Sequence, residues 1–139
     1  MFFIIADIER SVSEILKKHV SQDKILSEFK KSDDKHLSDL SASFQKSIEE
    51  NNDSDIFQHM YLQTVGITLK KFIAELPYEY KSLNKYSSKF GTEGVYNSVR
   101  QKVMHPVRPI LSDKKSINQI DELLNDYIEI KNITESTTH

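Results

Sequence analysis

Glycine and proline are scarce in this chain, with three of each in 139 residues. Both break helices, glycine through backbone entropy and proline through its missing N–H. So few interruptions leave room for long elements, and apolar spacing then decides their type. Along most of the sequence apolar residues recur at helical intervals, and no stretch reads convincingly as a strand. The pattern predicts an all-α fold, a helical bundle of five or six helices joined by short connections.

The length suits one domain. We read residues 1–131 as a single helical domain and 132–139 as a frayed C-terminal tail. The first helix is expected from Phe2 to Val20, with Ile5, Ile8, Val12, Ile15 and Leu16 on one stripe. Phe2, Phe3 and Ile4 widen its apolar face, as if for a partner or a chain once longer. Asp23 to Lys31 reads as a short helix, or as a continuation bent near Ser21. Asp33 or Asp34 can cap the next helix, whose stripe is Leu37, Leu40, Phe44 and Ile48.

After a polar loop at Glu49–Asp53, Asp53 or Ser54 is expected to cap a long helix reaching Leu76. Its core face would hold Phe57, Tyr61, Val65, Leu69, Phe72 and Leu76. Gly66 inside it either permits a close helix approach or is simply tolerated. Pro77 ends the element, and Tyr78 to Phe90 is helical again through Leu83, Tyr86 and Phe90. Gly91-Thr92-Glu93-Gly94 is the clearest turn. The helix after it turns Val95, Val99 and Val103 inward until Pro106 and Pro109 stop it. Ser116 opens the last helix, with Ile117, Ile120, Leu124, Tyr127 and Ile128 on one face.

Composition narrows the chemistry. There is no cysteine, which excludes disulfides and thiolate metal sites. No His, Asp and Glu cluster has ligand spacing, so neither metal nor cofactor is expected. His19, His36 and His59 read as surface or partly packed residues. The formal net charge of −2 argues against a protein coated in basic residues for nonspecific nucleic-acid binding. A local basic patch remains: Arg100, Lys102, Arg108, Lys114 and Lys115 stand against Asp113 alone between Tyr96 and Lys115. No segment has the length of a membrane span, and the N-terminal apolar run, broken by Asp7, is too short for a signal peptide. A cytoplasmic protein is the expectation. On that basis the acceptor patterns at Asn52-Asp53-Ser54 and Asn132-Ile133-Thr134 carry no weight.

Chemistry concentrates in Asn97-Ser98-Val99-Arg100-Gln101-Lys102-Val103-Met104-His105-Pro106-Val107-Arg108-Pro109. Two of the three arginines and two of the three prolines lie there. On a continuous helix Arg100 and His105 would diverge by about 140°. Pro106 biases His105 away from the α region, so the imidazole can swing back toward the arginine. A twofold-related copy would bring two arginines and two histidines around one cleft. Arginine's planar fork matches phosphate oxygens and stabilises charge on a phosphorane. Histidine suits the proton transfers of attack by a 2′-hydroxyl. DNA lacks that hydroxyl and should resist the route. Tyr96, one turn before Arg100, is a candidate to line the same cleft, with packing in the core as the equal alternative. The bland reading pairs Arg100 with a carboxylate such as Glu93 or Asp121, and leaves His105 at a helix end.

The segment from Val99 to Pro109 resembles the R-x4-6-H signature of the HEPN superfamily (higher eukaryotes and prokaryotes nucleotide-binding domains). It stands late in the chain, ahead of a final helix, as that signature does. His105-Pro106 with Arg108-Pro109, and Ile8-Glu9-Arg10 in the first helix, look like the subgroup linked to bacterial conflict and stress. The resemblance implies a metal-independent endoribonuclease with Arg100 and His105 as its catalytic pair. It also implies a homodimer through the helix at 95–104, with a composite site built from both protomers. Gln101 takes the polar position, where asparagine, aspartate or histidine is commoner. Lys102 and Arg108 are flanking phosphate contacts by our own reading. Some superfamily members are inactive, so the competing expectation is a non-catalytic dimerisation or partner-binding module of a toxin–antitoxin or sensor system. A weaker third is a transcriptional or nucleotide-sensing regulator.

Overall fold

The computed structural model describes residues 2–50, 56, 60–104 and 114–135, without the side chains of Phe2, Lys102, Val103 and Met104. α1 spans Phe2–His19 and buries Ile5, Ile8, Val12, Ile15 and Leu16, the stripe its sequence spacing predicts. Lys17 and Lys18 stand in its last turn, where their charge opposes the negative end of the helix. Ser21 then takes an extended conformation and its hydroxyl accepts the Lys24 N–H at 3.1 Å. That cap makes α2 (Gln22–Lys31) a separate helix rather than a bent extension. Ile25, Leu26 and Phe29 form its buried face. Asp34 caps α3 (Lys35–Glu49) by accepting the His36 N–H at 2.9 Å. Leu37, Leu40 and Phe44 go inward, but Ile48 at the end of the expected stripe is half in solvent.

The long helix expected from Asp53 or Ser54 is shorter. α4 runs Leu62–Phe72, and its cap, Tyr61, is extended with no side-chain capping bond. Asp53, Ser54 and Phe57 lie outside the described residues. Tyr61, expected in the core, is 64 % exposed. Ile56 and Met60 are buried instead, and the Ile56 N–H donates to Gln22 Oε1 at 2.8 Å. At its other end α4 gives way to a 3₁₀ turn at Ile73–Glu75 and an extended Leu76. The residue before Pro77 must leave the α region, which is why the helix stops early.

Tyr78–Phe90 is helical, but wound as a 13-residue 3₁₀ helix. At three residues per turn, side chains three apart eclipse one another. Tyr80, Leu83 and Tyr86 therefore form one buried stripe, and Ser87 and Phe90 a second. α4 crosses this segment at Gly66. A Cβ there would sit 2.5 Å from Phe90 Cβ and 2.8 Å from the Ser87 carbonyl oxygen. Gly66 is therefore a close-approach glycine.

α5 is Val95–Met104 and α6 is Lys114–Glu135. α6 continues through Asn132 to Glu135, with Thr134 buried, so the expected fray at 132 does not begin there. Its inward stripe also differs from the expected one. Ile120, Leu123, Asp126, Ile130 and Thr134 are buried, while Ile117 and Ile128 are exposed. Leu124 and Tyr127 pack half-buried at the edge. Among the described residues there are six α-helices and two 3₁₀ helices, with no strand. α1 touches α4, α5 and α6, while α2 pairs with α3. One apolar cluster runs through all of them. No helix among the described residues is long and apolar enough to cross a membrane.

Candidate functional site

α5 is set in place from both ends of its first turn. The Gly94 N–H donates to the Gly91 carbonyl at 2.9 Å, and the Ser98 N–H to the Gly94 carbonyl at 3.1 Å. A Cβ on Gly94 would come within 2.3 Å of the Lys89 carbonyl oxygen, so the chain can fold back here only with glycine. Asn97 Nδ2 donates to the Thr92 carbonyl at 3.2 Å and closes the turn.

Tyr96 is fully buried, with none of its surface exposed. Its ring meets Phe90 edge-on at 5.4 Å, and its hydroxyl donates to Asp126 Oδ2 at 2.8 Å. Burial and the Asp126 carboxylate together push its ionisation far above the usual phenol range. The expectation that Tyr96 lines a cleft is therefore corrected: its helical position faces α6 and the 3₁₀ helix, and no solvent reaches it. Lys89 Nζ joins the same carboxylate at 2.6 Å and Glu122 at 3.2 Å. Burial opposes the Lys89 charge, but these carboxylates outweigh it and hold the ammonium above its usual range. Tyr86 donates to Glu129, and Lys85 reaches the same carboxylate at 3.4 Å.

Arg100 follows Tyr96 by four residues and is half-buried, on a helix that packs against α1. Its charge acts on Glu9 of α1. Burial pushes the Glu9 carboxyl above its usual range, and Arg100 pulls it part of the way back. Val99 beside Arg100 is buried and Val95 packs at the core edge, as the inward valine pattern requires. Gln101 is exposed. Lys102 belongs to α5, its side chain being outside the description. His105, Pro106 and Arg108 lie outside the described residues.

Two carboxylates of this neighbourhood were missed by sequence reasoning. Asp126 carried a signal, since it sits on the buried stripe between Leu123 and Ile130. An acid on an apolar face needs partners, and here they are Tyr96 and Lys89. Glu9 carried no comparable signal, because its neighbour Arg100 is remote in sequence. On α1 a second carboxylate, Asp7, accepts from Tyr127 at 2.6 Å and pairs with Lys131 at 3.4 Å and with Arg10. The Tyr127 hydroxyl, together with these cations, holds Asp7 below its usual range.

The remaining histidines stay apart. The His19 ring lies 5.6 Å from that of Tyr80. His36 Nε2 lies 2.9 Å from Thr64 Oγ1. His59 is outside the described residues. Among the described residues no three His, Asp or Glu side chains are grouped so as to hold a metal ion. Set against family models, curated proteins and solved structures, the chain matches none.

Proposed function

We propose that this chain is a homodimeric, metal-independent endoribonuclease of the HEPN kind. It acts in the cytoplasm in stress or phage defence. Arg100 stabilises the charge that develops on the phosphorane. His105 serves the proton transfers at the 2′-hydroxyl and the leaving 5′-oxygen. Gln101, Lys102 and Arg108 flank the scissile phosphate, and the partner protomer supplies the second half of the cleft through the helix at 95–104.

The observation that carries this reading is the setting of Arg100. Its helix is locked by the buried Tyr96–Asp126 bond and packs against α1, Arg100 itself is half-buried with its charge acting on Glu9, and Gln101 beside it is in solvent. A half-buried arginine suits phosphate better than a mobile surface one, because less side-chain freedom is lost on binding.

Arg100→Ala and His105→Ala should each abolish RNA cleavage while helical content, read by circular dichroism, is kept. EDTA should not inhibit, and DNA of the same sequence should stay intact. Full activity in either variant, or strict Mg²⁺ dependence, overturns the mechanism. A second reading rests on Phe3, 79 % exposed on α1, and Ile128, 59 % exposed on α6. It is a helical partner-binding module, with an antitoxin or sensor protein as partner. A dimer that binds RNA or a protein across many candidates and never cuts would favour it.

A further inference from the structure

A groove of about 420 Å³ opens between the start of α3, one side of α4 and the turn that leads into α5. Gln63, Ile67 and Lys70 follow one another along its α4 wall, and the rise from the first to the last is about 10 Å. The volume falls in the range of small-ligand sites, about 300–1,000 Å³. None of its residues belongs to the Arg100–His105 motif, so what it binds is independent of the cleavage reading.

Its two ends carry opposite charge. His36 marks the Gln63 end, because its Nε2 lies 2.9 Å from the hydroxyl of Thr64. Asp34 stands beside it and accepts the His36 N–H through Oδ1 at 2.9 Å. Both oxygens of a carboxylate accept hydrogen bonds, so this exposed acid can take a further N–H. The other end holds the exposed ammonium of Lys70. Between the charges, half-buried Ile67 gives an apolar strip. Gln63 on the same wall, with Ser88 and Thr92 across the groove, offers groups that both donate and accept.

A lone anion meets Asp34, a lone cation meets Lys70, and an uncharged molecule answers neither. The complementary ligand has a cation at one end, an anion about 10 Å away, and alternating donors and acceptors between them. An extended chain advances about 3.3–3.6 Å per residue, so about three residues set an α-ammonium and an α-carboxylate that far apart. We infer that this groove binds a free short peptide, with its α-ammonium at Asp34 and its α-carboxylate at Lys70. The amides between them lie against Gln63, Ser88 and Thr92, and the middle side chain against Ile67. An internal segment of a protein lacks both terminal charges, which separates this ligand from a folded partner.

The test is an NMR titration of the isotope-labelled full chain, read from its amide shifts. Trialanine should bind in the millimolar range or tighter and move the amides of Gln63, Ile67 and Thr92. Acetylating its amino group or amidating its carboxylate should each weaken binding about fivefold, the worth of one partly exposed ion pair. Dialanine, too short to reach both ends, should bind no better than the capped peptides. Two variants then assign the ends. Asp34→Asn keeps an oxygen to cap α3, and should erase the effect of acetylation while leaving that of amidation. Lys70→Ala, at an exposed helical position, should do the reverse. The capped peptides read the same ion pairs on the unaltered protein, so the test stands even if a variant loses its fold. No trialanine binding, shifts confined to other parts of the molecule, binding indifferent to both caps, or a cap effect that survives in its paired variant overturns the proposal.

Discussion

Tyr96 and Asp126 meet across the α5–α6 contact through a 2.8 Å hydrogen bond, and both residues are buried. The bond fixes the rotation of α5 about its own axis. Arg100, one turn further along, takes its direction from that rotation.

Tyr96→Phe removes the donor but keeps the ring against Phe90. The expected cost is about 1 kcal/mol, because Lys89 still serves the carboxylate. Asp126→Ala strands the buried Tyr96 hydroxyl and leaves the Lys89 ammonium with Glu122 alone, and should cost about 2–3 kcal/mol. Urea unfolding monitored by circular dichroism measures both. An Asp126→Ala protein no less stable than Tyr96→Phe would contradict the shared network.

Two glycines should respond in opposite senses to alanine. Gly66→Ala puts a Cβ 2.5 Å from Phe90 Cβ and should destabilise by about 2 kcal/mol. At Gly91 the nearest atom is at 3.4 Å and φ is −69°, so Gly91→Ala fits without strain. Restricting the unfolded chain then stabilises by about 0.5 kcal/mol. The pair of denaturation midpoints, one lowered and one raised, checks the helix crossing.

Asp7 and Glu9, two residues apart on α1, should give opposite pH dependences. Asp7 is held below its usual value of 3.8, first by Tyr127. Its contribution to stability is full above that value and is lost as pH falls through the lower folded value. The advantage of the parent protein over Asp7→Asn should therefore shrink on acidification. Glu9 is raised above 4.5 by burial, with Arg100 opposing. The native state then binds more protons than the unfolded chain, so stability falls as pH rises above 4.5. Glu9→Gln should gain on the parent across that rise. Denaturation midpoints measured from about pH 2 to pH 7 give both curves.

Arg100→Lys separates charge from geometry at the proposed catalytic site. Lysine keeps the charge and loses the planar fork. Single-turnover RNA cleavage should fall about 100-fold, with the fold unchanged. A lysine variant as fast as the parent would show that a point charge suffices, and would remove the phosphate-clamp role.

Helix identity was legible wherever a stripe was backed by a local cap. α1, α2 and α3 match their expected spans because Ser21 and Asp34 act within three residues of themselves. The start of α4 was not legible. Tyr61 sits at helical spacing from Val65, yet its backbone is extended and its side chain exposed, while Ile56 and Met60 take the buried places. The inward face of α6 was misread for a related reason. Isoleucine at 117 and 128 looks like core, while the position that turns inward is Asp126, where Tyr96 and Lys89 satisfy it. Of the site, the sequence singled out Arg100 and Gln101 but left Tyr96 between cleft and core, and its contacts with Phe90 and Asp126 decide that it is sealed.

By itself the sequence determined that the chain is helical, where most helices lie, and which segment concentrates arginine and proline. Those properties come from spacing, propensity and caps, which act within a turn or two. The tertiary structure decided which side of each helix is dry, that Gly66 is a crossing point, and that Glu9 stands by Arg100. Such facts depend on residues tens of positions apart meeting in a shared core, and helical periodicity carries no record of which faces meet.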